Sequence, residues 1–188
     1  MTRAEGEIFF KRFHGHHYNM WHDEPAKYKE YCKLHITKMT ENKWRLQKIS
    51  DLFADIQAEP ASARLRIGNI IKIMHALKKI PKDLPEQLLD ALDFATTLDI
   101  RQRILIMEDM EGRNDKENNN AGYALFRSRK KDYGRLHDIM ARMMELSDKD
   151  RDDIDCLTAE GKIGWTDTYA RYLRTADRCE RAEAKYLI

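Results

Sequence analysis

The sequence predicts an all-α fold, an irregular bundle of seven or eight helices, and three observations lead there. Apolar residues recur at spacings of three and four along almost the whole chain, not in alternation. Only 8 glycines and 4 prolines stand among 188 residues, too few for a turn-dense β protein. A hydrophobic fraction of 42% beside a charged fraction of 35% suits amphipathic helices packed around a core and ionised on their outer faces.

Each element has its own signal. Ile8-Phe9-Phe10 is the one stretch that reads as a short strand. From Asp23 the chain runs Asp-Glu-Pro, an acidic cap with proline in the first turn, and Tyr28, Cys32, Ile36 and Met39 form a stripe behind it. Leu46, Ile49, Phe53 and Ile56 continue that stripe beyond Thr40, which either caps a second helix or lies inside one long one. Glu59-Pro60 ends it, because a residue before proline is pushed out of helical geometry. A helix from Ala61 or Ser62 carries Ile67, Ile70, Met74 and Leu77, widened by Ile71 and Ile73, and Pro81 closes it. This most apolar segment is the expected centre of the core.

Pro85 opens the next helix, with Leu88, Leu89 and Leu92 inside. A break at Thr96–Asp99 precedes Ile100, Ile104 and Met107. Residues 112–122 hold no large apolar side chain and read as a long polar loop. Beyond it, Leu125, Tyr133, Leu136, Met140 and Met143 predict a helix of about 25 residues. Ser147-Asp-Lys-Asp150 forms a capping box with Asp in place of Glu, and Gly161 ends the short helix it starts. The last helix begins at Trp165 or Thr166 and turns Tyr169, Leu173 and Ala176 inward. One domain, 1–188, is expected, with 112–122 as the place for any sub-boundary between helices of 1–111 and helices of 123–188.

Several function classes are disfavoured at once. No apolar run approaches the ~18 residues of a membrane span, so no membrane contact is expected. The opening Met-Thr-Arg-Ala-Glu-Gly lacks the apolar stretch of a secretory signal. Cys32, Cys156 and Cys179 make no disulfide framework, which fits a cytoplasmic protein with reduced, mostly buried thiols. Nucleotide-cradling glycine motifs and nucleophile-elbow patterns are absent. A net charge of +2 argues against indiscriminate coating of DNA.

Two residue sets suggest metals. His14, His16, Cys32 and His35 supply imidazole and thiolate, and Cys32-x-x-His35 places two of them one helical turn apart, so zinc is the candidate cofactor in a chain that otherwise calls for none. Glu108 and Glu111 share a helix face, and Asp152-x-x-Asp155 offers a second pair for Mg²⁺. That arrangement loosely resembles the all-helical nucleotide pyrophosphohydrolases, which implies metal-activated water attacking a phosphate. It departs from them in lacking the last Glu of the first acidic motif and in the long gap between motifs. His137-Asp138 resembles the doublet of His-Asp phosphohydrolases, although adjacent helical residues point about 100° apart.

Basic residues form the largest set. Lys72, Lys78, Lys79 and Lys82 surround the end of the apolar helix, and Arg127, Arg129, Lys130, Lys131 and Arg135 follow the polar loop. Arg171, Arg174, Arg178 and Arg181 run at spacings of three, four and three down the last helix, with Tyr172 beside them to stack on a base. Residues 152–181 resemble a helix-turn-helix, with Thr166, Asp167, Thr168 and Arg171 toward a groove. Glu160 stands where that pattern has a small residue, and the turn is stretched.

Recognition, not catalysis, is therefore the expected function: a small regulatory or accessory protein whose basic helical surface binds nucleic acid or a nucleic-acid-handling protein complex. Arg127, Arg129, Lys130, Lys131, Arg171, Arg174 and Arg178 are the expected phosphate contacts. The alternatives are a protein-interaction module, an inhibitor or adaptor, and the Mg²⁺-dependent pyrophosphohydrolase.

Overall fold

Thr2 starts the first helix with a reciprocal cap. Its hydroxyl accepts from the Glu5 N–H, and the Glu5 carboxylate accepts from the Thr2 N–H. The computed structural model describes residues 1–112, 122–152 and 168–187. In order these form α1 (Arg3–Arg12), α2 (His17–Asp23), α3 (Pro25–Cys32), α4 (Lys38–Ala58), α5 (Ala63–His75), α6 (Leu84–Ala95), α7 (Ile100–Glu111), α8 (Tyr133–Met144) and α9 (Thr168–Leu187). The described residues 148–152 are helical, and 3₁₀ turns lie at Pro60–Ser62, Gly122–Phe126 and Lys130–Asp132. Among the described residues there is no strand, and the architecture is an all-α irregular bundle.

α5 is the hub, packed between α4, α6 and α7. Ile67, Ile70, Ile71, Ile73 and Met74 are all buried, so its apolar surface is far wider than a stripe. Each such side chain contributes roughly 2 kcal/mol through removal from water. The main core carries this cluster through Leu88, Leu92, Met107 and Met110 to Tyr123, Phe126, Met140 and Cys179. Residues on both sides of 112–122 thus share one core. The separate cluster lies at the other end, where Phe9, Phe10, Met20, Tyr31 and Trp44 gather.

Several local expectations change. Ile8-Phe9-Phe10 lies inside α1, where Phe9 and Phe10 face the aromatic cluster. Residues 33–37 break the predicted Tyr28-to-Met39 stripe, with His35 at φ 49°, and Thr37 caps α4 by accepting from the Thr40 N–H. Met39 is consequently 80% exposed, and Cys32 is exposed as well. The predicted helix of about 25 residues resolves into two 3₁₀ turns and the twelve-residue α8. Tyr133 donates to the Arg127 carbonyl and Arg129 pairs with Asp132, giving those turns their own polar partners. On α9 the inward set is Thr175, Cys179, Ala182 and Leu187, while Leu173 is exposed. Gly161, Cys156 and the start of the last helix lie outside the described residues.

Candidate nucleic-acid interface

The acidic run of α7 decides what the α9 arginines do. Asp99 caps α7 by accepting from the Gln102 N–H, and Gly112 ends it in the left-handed region at φ 83°. Near that end Glu108 is buried beside α9. Arg171 meets it as a fork, Nε 2.8 Å from Oε1 and Nη2 2.7 Å from Oε2. The hydrogen bonds to Glu108 raise the Arg171 guanidinium's affinity for its proton. Two turns further along α9, Arg178 Nη1 stands 3.5 Å from Glu111 Oε1.

Asp109 points the other way, toward α5. A Cβ built at Gly68 would lie 2.3 Å from Asp109 Oδ2, so glycine is what lets the carboxylate reach the helix. Arg64 and Lys72 stand one turn to either side of Gly68, and both act electrostatically on Asp109. Burial nevertheless dominates and pushes the Asp109 carboxyl above its usual range.

These contacts correct the predicted interface. Arg171 and Arg178 are turned onto α7 instead of presenting a phosphate-tracking stripe. Tyr172 is partly buried, packs against the Ile100 and Ile104 cluster and donates its hydroxyl to the Met144 carbonyl, so it serves the fold instead of standing free beside the arginines. Arg181 pairs with Asp177, and Arg174 is exposed on the outer side of α9. Residues 153–167, the first helix and turn of the helix-turn-helix reading, lie outside the described residues.

The acidic metal set is corrected on the same grounds. Glu108 and Glu111 already hold arginines, Asp152 is exposed among the helical residues 148–152, and Asp155 lies outside the described residues. His137 of the His-Asp doublet pairs with Glu183, Nδ1 to Oε1 at 2.8 Å. Among the described residues no group of three or more His, Cys, Asp or Glu is arranged to hold a metal. His14 and His16 sit in the α1–α2 connection with Lys48 and Lys72 in electrostatic reach, whereas Cys32 and His35 are exposed at and beyond the end of α3. The four predicted zinc ligands therefore do not converge.

A different cationic surface emerges. Arg129 Nη1 donates to the Lys82 carbonyl at 3.0 Å and pins the 3₁₀ segment after the polar loop to the α5–α6 connection. That bond joins the segment bearing Lys78, Lys79 and Lys82 to the segment bearing Arg127, Lys130 and Lys131. All six are exposed, and none forms an ion pair among the described residues. Asp132, the nearest acid on the second segment, is held by Arg129. Farther along α8, Arg135 and Arg142 are neutralised by Asp90 and Asp93 of α6, each pair at 2.6 Å. Arg129 is thus the organiser of the patch and not one of its free charges.

The composition of both halves of this patch was visible in sequence, but their adjacency was not, because the joining bond spans 47 positions. Buried Arg103 was missed entirely. It donates to the Met143 and Glu145 carbonyls at 3.2 and 2.7 Å and pairs with Asp150 at 2.6 Å, fastening α7 to the end of α8. No protein-family model matches this chain, and no curated protein or solved structure matches it either.

Proposed function

We propose that this protein recognises the phosphate backbone of nucleic acid through Lys78, Lys79, Lys82, Arg127, Lys130 and Lys131, as a binding protein and not a catalyst. One observation carries the reading: six exposed cations lie on two distant segments joined by one hydrogen bond, and none forms an ion pair among the described residues. Unneutralised clustered charge raises the local potential, attracts polyanions and releases their counterions on binding. The near-neutral net charge of +2 makes the attraction local to that edge.

Fluorescence anisotropy of a labelled single-stranded oligonucleotide tests it. If all six cations neutralise phosphates, log K should fall against log salt with a slope of roughly −4. Replacing Lys79, Lys82, Lys130 and Lys131 by alanine should cut the slope by roughly 3 and remove most of the affinity. Binding that is absent at low salt, or unchanged in that variant, would refute the proposal.

A second reading has its own observation. Tyr18 and Trp21 on α2 stand in solvent with ring centroids 6.1 Å apart, and Trp21 is 53% exposed. Exposed aromatic pairs of this kind serve as anchors in protein interfaces. In that reading Trp21→Ala abolishes capture of a protein partner, and the oligonucleotide is not bound at any salt concentration.

A further inference from the structure

The α1–α2 connection carries three unusual features within three residues. His14 holds a positive φ of 52°, a conformation that a non-glycine residue seldom adopts, and Gly15 follows at φ 73°. His14 Nδ1 and His16 Nε2 are both buried and have no hydrogen-bond partner among the described residues. Buried ring nitrogens without partners are rare enough to call for an explanation, particularly two in one loop. The neighbouring His17 shows the contrast, since its nitrogens reach the Tyr28 hydroxyl and the Glu41 carboxylate.

The surroundings give the sign of the missing partner. Lys48 of α4 and Lys72 of α5 act on His14, and Lys72 and Arg45 act on His16. Arg45 also grips the loop, donating from Nη2 to the Gly15 carbonyl at 2.9 Å, while its own Nε is buried without a hydrogen-bond partner among the described residues. Glu41, 3.8 Å from Arg45, is engaged by Tyr31 at 2.7 Å and by His17 at 3.0 Å, and the buried carboxyl of Asp109 lies within electrostatic reach of Lys72. Burial, with the cations around it, pushes the His14 imidazole down to about 4. A metal cation would meet this positive field as repulsion, whereas an anion would be drawn in and could accept from each orphaned nitrogen.

We infer that His14, His16, Arg45, Lys48 and Lys72 form a binding site for a single phosphate group, separate from the cationic patch at 78–82 and 127–131. The unpartnered nitrogens supply directed hydrogen bonds and the two lysines supply charge. Gly15 keeps the loop close to Arg45, because a Cβ there would lie 2.9 Å from both Arg45 Nε and Phe10 Cζ. The chemistry fits free inorganic phosphate or the terminal phosphate of a nucleotide.

Calorimetry of the full chain at constant ionic strength, with imidazole NMR signals as a second readout, tests the site. Inorganic phosphate should bind saturably with one equivalent and move the His14 and His16 signals while leaving His22 in place. A nucleoside monophosphate that binds where phosphate alone does not would assign the terminal phosphate as the source and also support the site. His14→Asn with His16→Asn, in which Asn tolerates the positive φ, should lower phosphate affinity at least about tenfold with an unchanged circular dichroism spectrum. Alanine at Lys130 and Lys131 should leave phosphate affinity unchanged, so loss of oligonucleotide binding and loss of this site are separable. Equal signal shifts in chloride, unaltered affinity in the double variant, or stoichiometric zinc uptake by the same imidazoles would each overturn the inference.

Discussion

Arg171 and Glu108 lie side by side across the α7–α9 interface, joined by two parallel hydrogen bonds of 2.8 and 2.7 Å, with Glu108 only 3% exposed. An arginine that reads in sequence as a phosphate contact is here the partner of a carboxylate that reads as a metal ligand. Each satisfies the other. The consequence is that Arg171 is engaged inside the bundle, and the phosphate-binding surface we propose lies instead at the edge organised by Arg129.

Breaking that pair should cost far more than breaking a surface pair. Glu108→Ala strands a guanidinium against the core, and a loss of about 3 kcal/mol is expected from urea unfolding. Arg171→Lys retains the charge but not the planar fork and should lose less. A loss below about 1 kcal/mol for Glu108→Ala, the scale of an exposed pair, would contradict the assignment.

Gly68→Ala tests the approach of Asp109 to α5. Alanine favours a helix by about 1 kcal/mol, but the added methyl enters the space of a buried carboxylate, and overpacking costs about 1–3 kcal/mol. Net destabilisation is expected, relieved when Asp109→Ala is added. A stabilised single variant would show that the carboxylate moves aside freely.

The Asp109 carboxyl also sets a pH dependence. Burial raises its pKa in the folded state, so the folded protein binds the proton more tightly than the unfolded chain. Stability from this group is therefore lost as pH rises from below its unfolded value through its folded one. Asp109→Asn should gain stability relative to wild type at pH 7 compared with pH 4 in parallel melts. The opposite trend would mean that Arg64 and Lys72 dominate the site.

Arg103 and Asp150 give the reverse sign. Burial pushes Asp150 up, but the hydrogen bonds from Ser147 and Arg103 outweigh it and hold the carboxyl below its ordinary range. Its contribution is present above the unfolded pKa and lost as pH falls through the folded one. Asp150→Asn should flatten the acid limb of the stability profile, and Arg103→Met should cost about 3 kcal/mol at pH 7. An unaltered acid limb would remove Asp150 from the account.

Because Glu108 and Glu111 are held by arginines and His14, His16, Cys32 and His35 do not converge, metal removal should be silent. Neither a chelator nor a small excess of Zn²⁺ or Mg²⁺ is expected to shift the melting temperature. A zinc-dependent rise lost in Cys32→Ser would restore the His14, His16, Cys32 and His35 site.

The local signals were legible where the chemistry is local. Glu59-Pro60, Pro85 and the Asp99 to Ile100 start mark helix limits, the Ser147–Asp150 box forms as read, and the isoleucines of α5 place the core. Periodicity failed where polar partners stabilise a break. Leu125 and Tyr133 share a helical phase, yet Arg127 and Arg129 find partners in Tyr133 and Asp132 that hold 3₁₀ turns between them. The site was least legible, because its logic is long-range. Arg171 finds Glu108 across 63 positions, and an arginine stripe carries no mark that distinguishes inward pairing from outward display.

The proposed phosphate-contacting edge can be tested directly by amine labelling of the full protein, read by mass spectrometry with and without a saturating oligonucleotide. Lys78, Lys79, Lys82, Lys130 and Lys131 should lose reactivity together on binding, while exposed Lys185 on α9 and Lys27 on α3 should keep theirs. Protection at Lys185 with full reactivity at Lys130 and Lys131 would return the contact surface to α9 and contradict the account.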